Sequence, residues 1–102
     1  MKLQITSRKF KVKDSLKEFI EKRINGLERY NDEILDVDVV LSFTHPKDSI
    51  KTVDITALLP GKTIKVSESS EDFQKSVSQA VDKLERQVKK IKTKKITIKR
   101  AQ

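Results

Sequence analysis

Residues 50–67 read IKTVDITALLPGKTIKVS, and this stretch decides the fold. Val53, Ile55, Ala57 and Leu59 fall at every second position, with Thr52, Asp54 and Thr56 between them. A period of two is that of a strand with one face buried and the other wet. Pro60-Gly61 is a turn pair, and residues 62–67 return with Ile64 and Val66 on the inward side. Upstream, residues 36–43 repeat the pattern: Val37, Val39, Leu41 and Phe43 alternate with Asp36, Asp38, Val40 and Ser42. The HPKD stretch at 45–48 reads as the connection between these strands. Three strands with one apolar face each require a covering layer.

The flanking segments supply it. Lys2–Thr6 reads as a short strand with Leu3 and Ile5 on one face. Residues 14–29 switch to helical period, with Leu16, Phe19, Ile20, Ile24 and Leu27 in one stripe. Ser15 and Glu18 have capping-box spacing, Asp14 places a negative charge at the positive end of the helix, and Gly26 weakens its last turn. A second helix is expected from near Ser70, with Glu71 and Asp72 in its first turn, to about residue 92. Its stripe is Phe73, Val77, Ala80, Val81, Leu84, Val88 and Ile91. The predicted order is β-α-β-β-β-α, an α+β domain over residues 1–92 whose four-stranded sheet carries both helices on one face. A basic tail follows at 93–102.

The chain has 102 residues, 35% apolar and 37% charged, so one modest core is available and its apolar residues must be placed periodically to fill it. It has no cysteine, which excludes disulfides and thiolate metal sites. The N-terminus MKLQITSRKF lacks the apolar run of a signal peptide, and no later run has the roughly 18 residues of a membrane span. A cytoplasmic protein without membrane contact is expected.

The net charge of +8 is unevenly placed. Residues 83–102 hold nine basic residues against Glu85 alone, and residues 1–82 balance to zero. Segregation of this kind points to a polyanionic partner. Turned by 100° per residue, the second helix shows Lys75, Gln79, Lys83, Arg86 and Lys90 opposite its apolar stripe, with Lys89 at one margin. Spaced three or four apart, they make a ridge roughly 22 Å long at about 1.5 Å per residue, long enough to meet several phosphates. A solvated surface face would instead mix its signs, as Asp14, Lys17, Glu18, Glu21, Lys22, Glu28 and Arg29 do on the first helix. Arg23 falls by angle within the first helix's apolar stripe. Two readings stay open: a stem covering the core edge, or a guanidinium held for phosphate.

Catalytic chemistry finds no support. His45 has no second histidine or cysteine to complete a zinc site and precedes a proline. The pairs Asp36/Asp38 and Glu71/Asp72 lack a base, nucleophile or metal partner. Gly26 and Gly61 make no phosphate-cradling loop. No cofactor, metal or small-molecule substrate is expected, and no enzyme. Phe43 points with the core set, so the strands offer no platform for stacked bases, and RNA contact is expected through backbone and shape. From the residues alone, structured RNA in general and an acidic protein both remain possible partners.

The run DKLERQVKKIK at 82–92 resembles the second-helix signature of the ribosome hibernation-promoting factor family, the ribosome-associated inhibitors. So do ITSR at 5–8, KRINGLERY at 22–30 and SSEDF at 69–73, in order and at matching spacing over residues 1 to about 92. The resemblance implies a fold similar to double-stranded-RNA-binding domains and a protein that binds the small subunit of the bacterial ribosome. There it would occupy the messenger path and the A and P tRNA sites, keeping 70S ribosomes inactive under stress or in stationary phase. The expected partner is 16S rRNA, and the free protein is expected to be a monomer. The matched positions are Lys83, Arg86, Gln87, Lys90 and Lys92, with Arg23 on the first helix. Two departures stand out: Gln74 where relatives commonly have Tyr, and Gly26 where they often have Lys. Lys22 and Arg29 lie close enough to stand in for the latter. With Lys75, Gln79 and Lys89 from the ridge and Lys94 beyond it, these form the expected RNA-binding set.

Overall fold

The computed structural model describes residues 1–43 and 50–101, with side chains described for 1–43 and 50–91. The alternating segments form one four-stranded sheet in the order β1-β2-β3-β4. These strands are β1 (Lys2–Ser7), β2 (Asp36–Phe43), β3 (Lys51–Leu59) and β4 (Lys62–Ser70). β1 runs parallel to β2 and the other pairs are antiparallel. A parallel pair needs a long crossover, and α1 (Asp14–Asn25) with a 3₁₀ turn at Gly26–Arg29 provides it. β3 and β4 need only a tight hairpin. Gly61, with φ of 73°, supplies the left-handed residue that turns it.

The register puts the apolar residues in rows across one face. Leu3, Val37, Ala57 and Ile64 align in one row, and Ile5, Val39, Ile55 and Val66 in the next. A third row holds Leu41 and Val53 but ends in Ser7 and Glu68. Ile20, Ile24 and Leu27 from the first crossover, and Val77, Ala80, Val81, Leu84 and Val88 from α2 (Phe73–Ala101), are buried in the same core. Both helices therefore lie on one face of the sheet, as the sequence pattern predicts. The other face is open, with exposed Asp36, Asp38 and Asp54 on the two central strands and Lys2 and Lys65 on the outer ones.

Several boundaries differ from the sequence expectation. α1 starts at Asp14 after Lys13, which is extended (ψ 146°) and offers no side-chain cap, so the Ser15–Glu18 capping box does not form. Half-buried Val12 packs against the core and fixes the approach of the chain ahead of Ser15. The α-helix ends at Asn25, and Gly26 opens a 3₁₀ turn instead of lying inside a longer helix. At the other helix, Ser70 still belongs to β4, paired with Lys51. Its hydroxyl accepts the Asp72 amide at 3.2 Å, and the Ser76 amide donates to the Asp72 carbonyl at 3.0 Å. Glu71 and Asp72 thus precede α2, whose first turn holds no acid. α2 runs to Ala101, past the expected end near 92. The HPKD connection with His45 lies outside the described residues.

Candidate nucleic-acid interface

Burial of the α2 stripe decides which residues stand on its crest. Lys75, Lys83, Arg86, Gln87, Lys89 and Lys90 are exposed, and Gln79 is half-buried. The side chains of Lys92 and Lys94 lie outside the described residues. The acids around this crest are engaged elsewhere. Glu68, at the polar end of the third sheet row, meets Lys83 Nζ at 2.9 Å and ties α2 to β4. Asp82 accepts from Arg23 Nη2 at 2.8 Å and ties α2 to α1. Glu85 lies 3.9 Å from Lys89, one turn on. Lys75, Arg86 and Lys90 have no ion-pair partner among the described residues.

Arg23 is half-buried and bridges the two helices through its guanidinium. Asp82 takes one of its five N–H donors in the bond described. Beside this clamp lies an open groove of about 640 Å³ with an apolar floor of Phe19, Leu27 and Val81 and a rim of Lys22, Arg23 and Arg29. Tyr30 and Glu85 close its far side. Lys89 Nζ sits 4.5 Å over the Tyr30 ring, a cation–π distance. A hydrogen bond to Glu85, then the Glu85 charge, then burial raise the Tyr30 phenol above its ordinary value of 10.0. The phenol therefore stays protonated at neutral pH and serves as a donor. A Cβ on Gly26 would meet nothing within 4 Å, so the position opens onto free space in this groove.

The structure thus gathers Lys22, Arg23, Arg29 and Lys89 around one groove, while Lys75 stands about 15 Å along α2 from Glu85. The counter-ions Glu68 and Asp82 and the ring of Tyr30 are missing from the sequence-derived set. Glu68 had a signal: it continues the inward positions Ile64 and Val66 of β4, where an acid demands a partner. Tyr30 had none, because its partners come from another helix. No cluster of three or more potential metal ligands occurs among the described residues, and no helix there is long and apolar enough to cross a membrane.

An α+β domain with one cationic helix face is a recognisable class, and the comparisons with known proteins resolve it further. Residues 3–96 match the family described as sigma 54 modulation protein / S30EA ribosomal protein, and the chain belongs to that family. It is 32% identical over 94 residues to a ribosome hibernation promotion factor of Bacillus subtilis, covering 92% of this chain and 50% of that protein. It is 30% identical to the corresponding factor of Deinococcus radiodurans, over 88% of this chain and 48% of that protein. A ribosome hibernation promoting factor of Azotobacter vinelandii is 30% identical over 94% of this chain and 87% of its own length. The chain spans about half the length of the first two relatives. The N-terminal domain of Thermus thermophilus protein Y superposes with a TM-score of 0.79 at 32% identity, over 89% of this chain and 99% of that one. The family resemblance and the fold read from the sequence are both borne out.

Proposed function

We propose that this chain binds the ribosome and holds it idle, with the α2 crest and the groove at the end of α1 laid against small-subunit rRNA. The observation that carries the reading is the row Lys75, Arg86 and Lys90, without ion-pair partners among the described residues and opposite the core, on a fold whose relatives are named ribosome hibernation factors. The action is occupancy. A rigid helix held to the sheet by Leu84 and Val88 presents cations to phosphates of the messenger path and the A and P tRNA sites. Affinity for 30S and 70S particles comes from counterion release, and no bond is made or broken. The protein acts in the cytoplasm as a monomer, with Lys92 and Lys94 extending the basic face and 93–102 serving as a basic tail to the 1–92 domain.

Co-sedimentation tests this reading. The chain should travel with 30S and 70S particles in a sucrose gradient and lower cell-free translation at stoichiometric amounts. Absence from both fractions, or unchanged translation, overturns it. A second reading, a general structured-RNA module, rests on the same ridge, which contacts phosphates and carries no base-reading element. Equal affinity for naked duplex RNA and for ribosomes would favour it.

A further inference from the structure

We propose that the loop between β1 and α1, together with the exposed ring of Phe43, forms a second nucleic-acid contact that takes an unpaired RNA segment. One base lies on the Phe43 ring and the neighbouring phosphates lie on Arg8, Lys9, Lys11 and Lys13. Residues 8–13 carry these four cations and no acid, and all four are exposed. None has an ion-pair partner among the described residues, whereas Lys83 and Lys89 on α2 are already engaged.

The loop is held in place for such a role. The Ser7 hydroxyl donates to the Phe10 carbonyl, and the Arg8 amide donates to the Leu41 carbonyl at 3.0 Å. The Phe10 ring stacks on Phe73 at 5.2 Å and anchors the middle of the loop to the start of α2. Lys9 adopts φ of 65°, a conformation unfavourable for a side-chain-bearing residue and maintained here by contacts on both sides. Cations presented by a fixed loop bind a polyanion with less ordering cost than cations on a loose one.

Phe43 supplies the preference for unpaired nucleotides. The sequence pattern places this ring with the core set and leaves the strands without a stacking surface. The ring does meet Phe10 and Phe73 edge to face, at 4.9 and 5.5 Å, but at the very end of β2 it remains 42% exposed, which corrects that expectation. Lys51 Nζ lies 5.6 Å from its centroid, so the ring already attracts a cation. An exposed aromatic among lysines is the composition of a single-strand stacking platform, and a duplex would hide its base faces from it. An acidic peptide would satisfy the cations but leave the ring unused. Asp14 follows the loop directly, and residues 1–7 before it hold no acid. The contact sits at the N-terminal end of α2, whereas the ridge runs from Lys75 toward Lys90. It goes beyond the ribosome reading and can be tested on a short RNA whether or not ribosomes are bound.

The test uses the full chain and a short fluorescent oligouridylate bearing a photoreactive 5-iodouridine, read by anisotropy across salt and by mapping the cross-linked peptide. Changing Arg8, Lys9 and Lys11 together to Gln should weaken binding about thirtyfold at low salt. It should also flatten the log–log salt slope by about 2, since three single-strand phosphates contribute about 0.7 each. Phe43→Leu keeps an apolar contact with Phe10 and Phe73 and should weaken binding about tenfold with the slope unchanged. Cross-links should fall on the peptide containing Phe43. They should persist in the Lys75→Glu/Arg86→Glu/Lys90→Glu protein, which loses ribosomes for its own reason. The proposal is overturned if the Gln triple variant binds within twofold of wild type, if cross-links fall only on α2, or if polyglutamate competes as well as the oligonucleotide.

Discussion

The outer faces of the two helices are built from similar residues and arranged in opposite ways. On α1 the signs alternate: Lys17 and Glu21 stand four apart, and so do Glu18 and Lys22, a spacing that steadies an exposed helix by a few tenths of a kcal/mol per pair. On α2 the acids are displaced from the crest to its edges. Asp82 reaches across to Arg23, Glu85 turns to Tyr30 and Lys89, and the acid facing Lys83 comes from β4. Acids placed this way fasten the helix to its neighbours and leave Lys75, Arg86 and Lys90 free to meet another molecule. A charged helix face therefore says little by its count of lysines; where its counter-charges sit says more.

Reversing the charge of one face at a time separates the two helices most strongly. Changing Lys75, Arg86 and Lys90 together to Glu should abolish ribosome co-sedimentation, a loss of at least about a hundredfold, with stability changed by no more than about 0.5 kcal/mol per site. Lys17→Glu on α1 should leave binding within about twofold, and equal losses from the two faces would erase the distinction. Glu68→Gln releases Lys83 onto the crest. It should raise affinity by about threefold at low salt and cost no more than about 1 kcal/mol in a urea melt, because both partners are partly exposed. Arg23→Gln should cost about 0.5 kcal/mol, the worth of a half-exposed clamp, and reduce binding less than the crest reversal does. A tenfold loss of binding without a stability change would instead make its guanidinium an RNA contact. The smallest effect is spectroscopic. Tyr30 is the only tyrosine, so tyrosinate absorbance follows it alone, and Glu85→Gln should lower its titration midpoint toward the ordinary value. The sign follows from the raised folded value: the neutral phenol favours the fold at lower pH, and that contribution is lost as pH rises through the titration.

The sheet was legible because only one of its faces is covered, so burial is written as alternation in DVDVVLSF and TVDITALL, broken only by Val40 and Leu58 on the open face and by exposed Phe43 at the strand end. The helix ends were not. Ser15 and Glu18 have the right spacing for a cap, but the helix starts at Asp14 and, with Val12 packed on the core, the cap position falls two residues earlier, on Lys13. Ser70 has the right chemistry for a helix start, but pairing with Lys51 keeps it in β4. In both places tertiary contact overrode a local preference. The crest was legible from helical period alone. Its internal ion pairs were not, because Glu68 and Lys83, or Arg23 and Asp82, meet only after the chain has folded.

The open face of the sheet gives the molecule a heading. Asp36, Asp38 and Asp54 lie at its centre, behind the helices, and Lys2 and Lys65 at its edges offset most of their charge, while the uncompensated cations lie in front. Near a large polyanion, such a body feels a torque before it feels a contact: the nearly neutral back is left indifferent while the basic front is drawn in. Encounters that begin backwards are turned before they can land, so the search for the productive orientation is shortened. Added salt should slow that capture as well as weaken the final complex.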